Sequence, residues 1–202
     1  MSKKHYHHGN LAEDILNRAV QIIDEGGLGA LTLRGIARDL GVSHGAPNRH
    51  FKNKAALLST LATYGWHKVL EATLRADNVD SLDPRLSLNA MGRGFLRWAL
   101  HNPALFRTLH HPDVARFADD ALIEAMRQFT QAISDAVAAT QTIGNHPGVP
   151  LEILSIYINA VPFGAAMFLI DPFLTHYEQS EIQDMDEEIL IEQLINLVVP
   201  LK

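Results

Sequence analysis

Apolar residues recur at helical spacing along almost the whole chain. Leu11, Ile15, Leu16, Ala19, Ile22 and Ile23 form one stripe over residues 10–25, which Gly26 and Gly27 end. Leu57, Leu58, Leu61, Ala62, Val69 and Leu70 keep the same phase over 54–77. Leu86, Leu88, Met91, Phe95, Trp98 and Leu100 do so over 85–101, and Pro103 is placed to open a further short helix. A longer amphipathic segment is predicted over 113–142, with Phe117, Leu122, Ala125, Met126, Phe129, Ile133 and Val137 on its buried side. Residues 150–170 are apolar on nearly every face, which predicts a helix covered on several sides. A last helix is predicted over 186–199, with acids at its start where the helix dipole favours them. Two linkers, 78–84 and 144–148, are rich in Asp, Asn, Gly and Pro. No repeat, low-complexity segment or strand series interrupts the pattern, so the chain reads as all-α with about nine helices.

The pattern changes scale between Leu31 and Lys54. Leu33, Ile36, Ala37 and Leu40 mark a very short helix, with Thr32 able to cap its start and Gly41 able to take the left-handed geometry that ends it. Val42 fills the corner, and Ser43 is placed to cap a second short helix running through His50 and Phe51. Two short helices joined by a glycine-containing turn form a helix-turn-helix. The second helix offers small and polar groups: His44, Gly45, Ala46, Asn48, Arg49 and His50. Small residues let a backbone approach a groove, and Arg, Asn and His reach phosphates or base edges.

These residues carry a resemblance. Gly27, Leu31, Thr32, Arg34, Ile36, Ala37, Gly41, Val42, Ser43, His50, Phe51 and Lys54 occur in the order and spacing of the DNA-binding half of TetR/AcrR-family transcriptional regulators. The opening YHHGNL and the GVSHGAPNRHF stretch resemble one branch of that family. One departure stands out: many relatives carry a tyrosine two residues before the histidine, and here the residue is Asn48, preceded by Pro47. The resemblance implies residues 1–55 as a three-helix DNA-binding domain and 56–202 as a helical ligand-sensing and dimerisation domain. It also implies Thr32, Arg34, Ser43, His44, Gly45, Ala46, Asn48, Arg49, His50 and Lys54 as DNA contacts, with Lys3 and Lys4 as a basic arm.

Charge supports this division. Overall the chain carries −6, but residues 1–55 hold eight Lys and Arg against five Asp and Glu, a net of +3, and the remainder nine against 18, a net of −9. A basic head on an acidic body is the distribution expected when only the head meets phosphate. There is no cysteine, which excludes disulfides and thiol catalysis. His5, His7 and His8 lack a carboxylate or cysteine at ligand spacing, so no metal site is expected, nor any cofactor. No Ser-His-Asp grouping, phosphate loop or carboxylate pair is placed for catalysis; Asp119-Asp120 and Glu187-Glu188 read as solvated helix faces. The run Ala160–Ile170 is too short to span a bilayer. No membrane association is expected, and a cytoplasmic, DNA-associated protein is.

One helix-turn-helix covers a short half-site, so a homodimer on a palindromic double-stranded operator is expected. The last two helices offer self-complementary apolar surface through Ile158, Ala165, Leu169, Leu190, Leu194 and Leu197. The resemblance further implies a small-molecule effector within the body, for which Phe95, Trp98, Phe106, His110, Met126, Phe129, Phe163 and Met167 are candidate lining residues. Their scarcity of polar groups favours an apolar or aromatic effector, and repression released by it. A ligand-independent DNA-binding and dimerisation module, or an activator, is the alternative.

Overall fold

Short-range capping sets the first elements. In the computed structural model, which describes residues 11–171 and 185–199, Thr32 accepts the Gly35 N–H on its hydroxyl oxygen at 3.0 Å and opens α2, Leu33–Asp39. Gly41 closes it at φ 68°. Its N–H donates to the Arg38 carbonyl (3.1 Å) and that of Val42 to the Ala37 carbonyl (3.0 Å), so two carbonyls at the end of α2 are satisfied. Before it runs α1, Leu11–Ala30, broken at Gly27 (φ 71°, ψ 176°). The expected glycine stop is therefore present, followed by one further turn. After α2, the second short helix is a correction to the expectation: residues 44–50 coil, but only Pro47–Arg49 form a helix, and it is a 3-10 turn without a side-chain cap. Pro47 brings no N–H, and the Ala46, Arg49 and His50 N–H groups bond three residues back.

The chain forms two compact units, Met1–Gly65 with Ala104–Leu122, and Trp66–Pro103 with Ile123–Lys202. This differs from a simple cut at residue 55. In the first unit, Ile15, Ala19, Ile23, Leu31, Ile36, Ala37, Phe51, Leu57 and Leu61 are buried, and α1 packs on α2 and on the 3-10 turn. The helix α3, Lys54–Leu74, begins here with Asn53 Oδ1 accepting the Ala56 N–H at 2.9 Å. Two short helices, α5 (Pro103–Leu109) and α6 (Pro112–Arg116), also belong to this unit.

The second unit holds the end of α3, then α4 (Pro84–His101), most of α7 (Asp120–Thr142), α8 (Leu151–Ile170) and α9 (Glu187–Asn196). The helix α4 packs against α8 and α9, which also touch each other. Arg97 pairs with Glu188 and His101 with Glu187, tying the start of α9 to α4. Among the described residues there are nine α-helices and no strand, as the periodicity predicts.

Three expectations change. The segment 113–142 is two helices, because Phe117 leaves helical geometry and Asp119 Oδ1 caps α7 by accepting the Leu122 N–H at 2.9 Å. Phe117 is exposed as a result, and Arg116 lies over its ring, 5.4 Å from the centroid. Secondly, α8 buries only the single stripe Leu154, Ile158, Pro162 and Ala166, while Ile153, Ile156, Tyr157 and Phe168 are more than half exposed. Finally, α8 is 20 residues long with a mean hydropathy of 2.0, so by length and composition it is able to cross a membrane, contrary to the shorter run read from the sequence. Its buried stripe nevertheless belongs to a helical bundle with α4 and α9. Lys3, Lys4 and the stretch 172–184 before the last helix lie outside the described residues.

Candidate nucleic-acid interface

The first unit presents its polar groups as one exposed arc on an apolar base. Pro47 and Phe51 are buried; between and before them Ser43, His44, Gly45, Asn48, Arg49 and His50 are exposed, and Ala46 is half-buried. Backbone bonds hold the arc: Ala46 N–H to the Ser43 carbonyl (2.9 Å), His50 and Phe51 N–H to the Pro47 carbonyl (3.0 and 2.9 Å). None of these side chains is needed for that scaffold. Thr32 and Arg34 are exposed at the start of α2. Among the described residues, Arg34, Arg49 and Lys52 make no hydrogen bond or ion pair, so their charges remain available to an anion.

An open groove of about 480 Å3 runs beside α2, lined in part by Arg18, Glu25, Arg34, Arg38, Asp39 and His44. Its two carboxylates are neutralised from within. Arg18 donates from Nε and Nη2 to Asp39 Oδ2 at 3.0 and 2.9 Å, and from Nη1 to Glu25 Oε1 at 3.3 Å and Gln21 Oε1 at 3.1 Å. The hydrogen bond from Arg18 is the main reason that the Asp39 carboxyl titrates below 3.8. At the rim, Arg38 also donates from Nε to Asp39 Oδ1 at 3.4 Å, and Arg34, four residues before it on α2, remains as a cation. Arg18, Arg38 and Lys52 were not expected from the sequence. The Arg34–Arg38 spacing was a readable signal for the second; the Arg18–Asp39 pair, 21 residues apart, had none.

Lys54 stands at the start of α3. It is half-buried, and its ammonium donates to the Leu28 carbonyl at 2.8 Å.

The candidate effector residues do not gather in one unit. Phe106 and His110 lie in the first, ring centroids 4.7 Å apart, with His110 Nδ1 2.8 Å from the Phe106 carbonyl oxygen. In the second unit Phe95 and Phe129 are 5.9 Å apart, and Trp66, not foreseen, lies 5.2 Å from Phe129. Trp98 is buried, Phe163 and Met167 are half-buried, and Met126 is exposed rather than interior. Of the interface candidates, Ile158 is buried within its own unit and cannot meet a partner. Ala165, Leu169, Leu190 and Leu194 are half-exposed and Leu197 is 76% exposed.

Comparison with known proteins agrees with this geometry. Residues 15–61 match the family of bacterial regulatory proteins, tetR family. No match to the chain was found among curated proteins. Among solved structures, a protein of unknown function from Rhodococcus sp. RHA1 is similar with a TM-score of 0.75 and 24% identity, over 98% of this chain and 95% of that one. The TetR-family transcriptional regulator PfmR from Thermus thermophilus is similar with a TM-score of 0.66 and 16% identity, over 92% and 96%. The transcriptional regulator FadR from Bacillus subtilis, solved in complex with stearoyl-CoA, is similar with a TM-score of 0.69 and 15% identity, over 93% and 97%. The head of the chain, residues 15–61, thus matches the tetR family of bacterial regulatory proteins, and nearly its whole length shares the fold of solved TetR-family regulators.

Proposed function

We propose that the chain represses transcription by binding a palindromic operator as a homodimer, and that an apolar or aromatic effector releases it. The observation that carries this reading is the exposed arc over Pro47 and Phe51, whose backbone is self-sufficient and whose side chains are donors. Arg49, Asn48 and His44 are suited to base edges. Thr32, Arg34, Ser43 and His50 suit phosphates, and Gly45 and Ala46 permit close approach. Two such arcs must meet successive major grooves about 34 Å apart, which requires a two-fold pair of chains. The exposed apolar side of α8 and the half-exposed Leu190, Leu194 and exposed Leu197 of α9 supply surface for a self-complementary contact. Lys3 and Lys4 would add a basic arm along the backbone. The work of this protein is in the cytoplasm, on the nucleoid when DNA is bound.

Release follows from population shift: an effector frees DNA only as far as it binds the DNA-incompetent conformer more tightly. The aromatic cluster of Trp66, Phe95 and Phe129 supports an apolar or aromatic effector. The stearoyl-CoA bound by the Bacillus subtilis neighbour makes acyl thioesters worth screening beside aromatic compounds.

Selection from a randomised duplex pool at physiological salt tests the reading. A palindrome with half-sites one or more turns apart is expected. Recovery of no motif, with binding lost as salt rises, would leave only non-specific affinity. A thermal-shift screen then separates the sensor from a ligand-independent module, for which no compound stabilises the chain.

A further inference from the structure

We propose that Lys54 is a positioning residue of the DNA-binding unit and not one of its phosphate contacts. The inference rests on the DNA-binding reading above. It starts from the broken helix. At Gly27 the backbone of α1 leaves helical geometry, and the short turn after the break ends at Ala30, so the Leu28 carbonyl has no following helical turn to pair it. The Leu28 carbonyl accepts a long bond from the Leu31 N–H, 3.3 Å, and a short one from the Lys54 ammonium, 2.8 Å.

The electrostatics favour the same pairing. Lys54 is the first residue of α3, where the helix dipole opposes a cation. The Leu28 carbonyl, past the Gly27 break, offers that cation a partial negative charge. One hydrogen bond therefore draws the charge away from that helix start, across 26 residues of sequence. The tie matters because Gly26, Gly27 and Gly29 leave this turn little side chain of its own to fix it. Thr32, the cap of α2, follows Leu28 by four residues, so anchoring the Leu28 carbonyl anchors the entry to α2. Lys52, two residues earlier, is exposed and makes no such bond among the described residues.

The test is Lys54→Met, which keeps the length and removes donor and charge. Affinity for the selected operator is measured against salt, well below the melting transition, where lost stability alone leaves affinity unchanged. The expected result is a loss of about three- to tenfold at every salt concentration, as a competent conformer becomes less populated. The slope of log K against log salt should equal that of the wild type, because it counts phosphates contacted. Lys54→Arg should restore the affinity. A slope reduced by about 0.9 per half-site would put Lys54 on a phosphate and overturn the proposal. Unchanged affinity would overturn it too, by removing Lys54 from the DNA-binding geometry. Should Lys54→Met not fold, lysine acylation mapped on the wild-type protein decides. Slow reaction at Lys54 with and without operator is expected; fast reaction that DNA suppresses overturns the idea. Absence of operator binding by the wild-type chain would overturn the DNA-binding reading itself, and this proposal with it.

Discussion

Among the described glycines, Gly94 in α4 leaves the least room for a side chain. A Cβ at that position would lie 2.5 Å from the Ala72 carbonyl oxygen, 3.0 Å from Ala76 Cβ and 3.1 Å from Thr73 Cα. Ordinary non-bonded contacts between carbons are about 3.5–4.0 Å. The nearest atom is backbone, so no rotamer change relieves the contact, and α3 and α4 must separate. Overpacking of this kind costs about 1–3 kcal/mol. Replacing a helical glycine by alanine returns about 1 kcal/mol of helix propensity. Gly94→Ala should therefore destabilise by about 1 kcal/mol, and by about 2 kcal/mol where the helices give least. For a chain of this length that lowers Tm by about 2–4 °C for each kcal/mol. Thermal and urea unfolding followed by circular dichroism measure it directly. Adding Ala76→Gly should recover only part, because the carbonyl contact remains. An unchanged or raised Tm for Gly94→Ala would refute the reasoning, since propensity would then outweigh a contact that the helices absorb without cost.

Other outcomes follow from the site and the exposed faces. Arg49→Ala should weaken operator binding by about 1–3 kcal/mol and relax preference at one base position, read from affinities for operator variants at fixed salt; unchanged affinity removes Arg49 from the contacts. Ala165→Glu should leave a folded monomer in sedimentation at concentrations where the wild type is dimeric, and a dimeric variant would move the interface elsewhere. The Arg18 bond holds the Asp39 carboxyl below its ordinary value, so the stability it contributes is fully present above about pH 3.8 and is lost as pH falls through the lower folded value. Acid titrations should accordingly show a stability gap between wild type and Arg18→Ala that closes at low pH; a gap that persists there would assign the effect to packing.

Much of this was legible because the governing interactions are local. Thr32, Gly41 and Asn53 announce helix ends through chemistry that reaches three or four residues, and each acts where the sequence puts it. The exposed arc was readable for the same reason, although Pro47 winds it more tightly than an α-helix. The contacts that were not legible join distant residues: Arg18 to Asp39, and Lys54 to the Leu28 carbonyl. Periodicity also misleads where a helix is apolar all round. Along α8 it identifies every residue as buriable, and cannot distinguish Ile158, which is covered by its own chain, from Ile156, which is 71% exposed. The break at Phe117–Asp119 escaped because Asp119 reads equally as a solvated acid and as a cap until its carboxylate is seen to accept the Leu122 N–H.

The arc over Pro47 and Phe51 separates two kinds of inheritance. Its conformation is stored in main-chain hydrogen bonds and two buried rings, so mutation at Ser43, His44, Asn48, Arg49 or His50 alters the exposed groups without dismantling the arc. On the proposed function, one operator can be exchanged for another by single substitutions, each made on an intact fold.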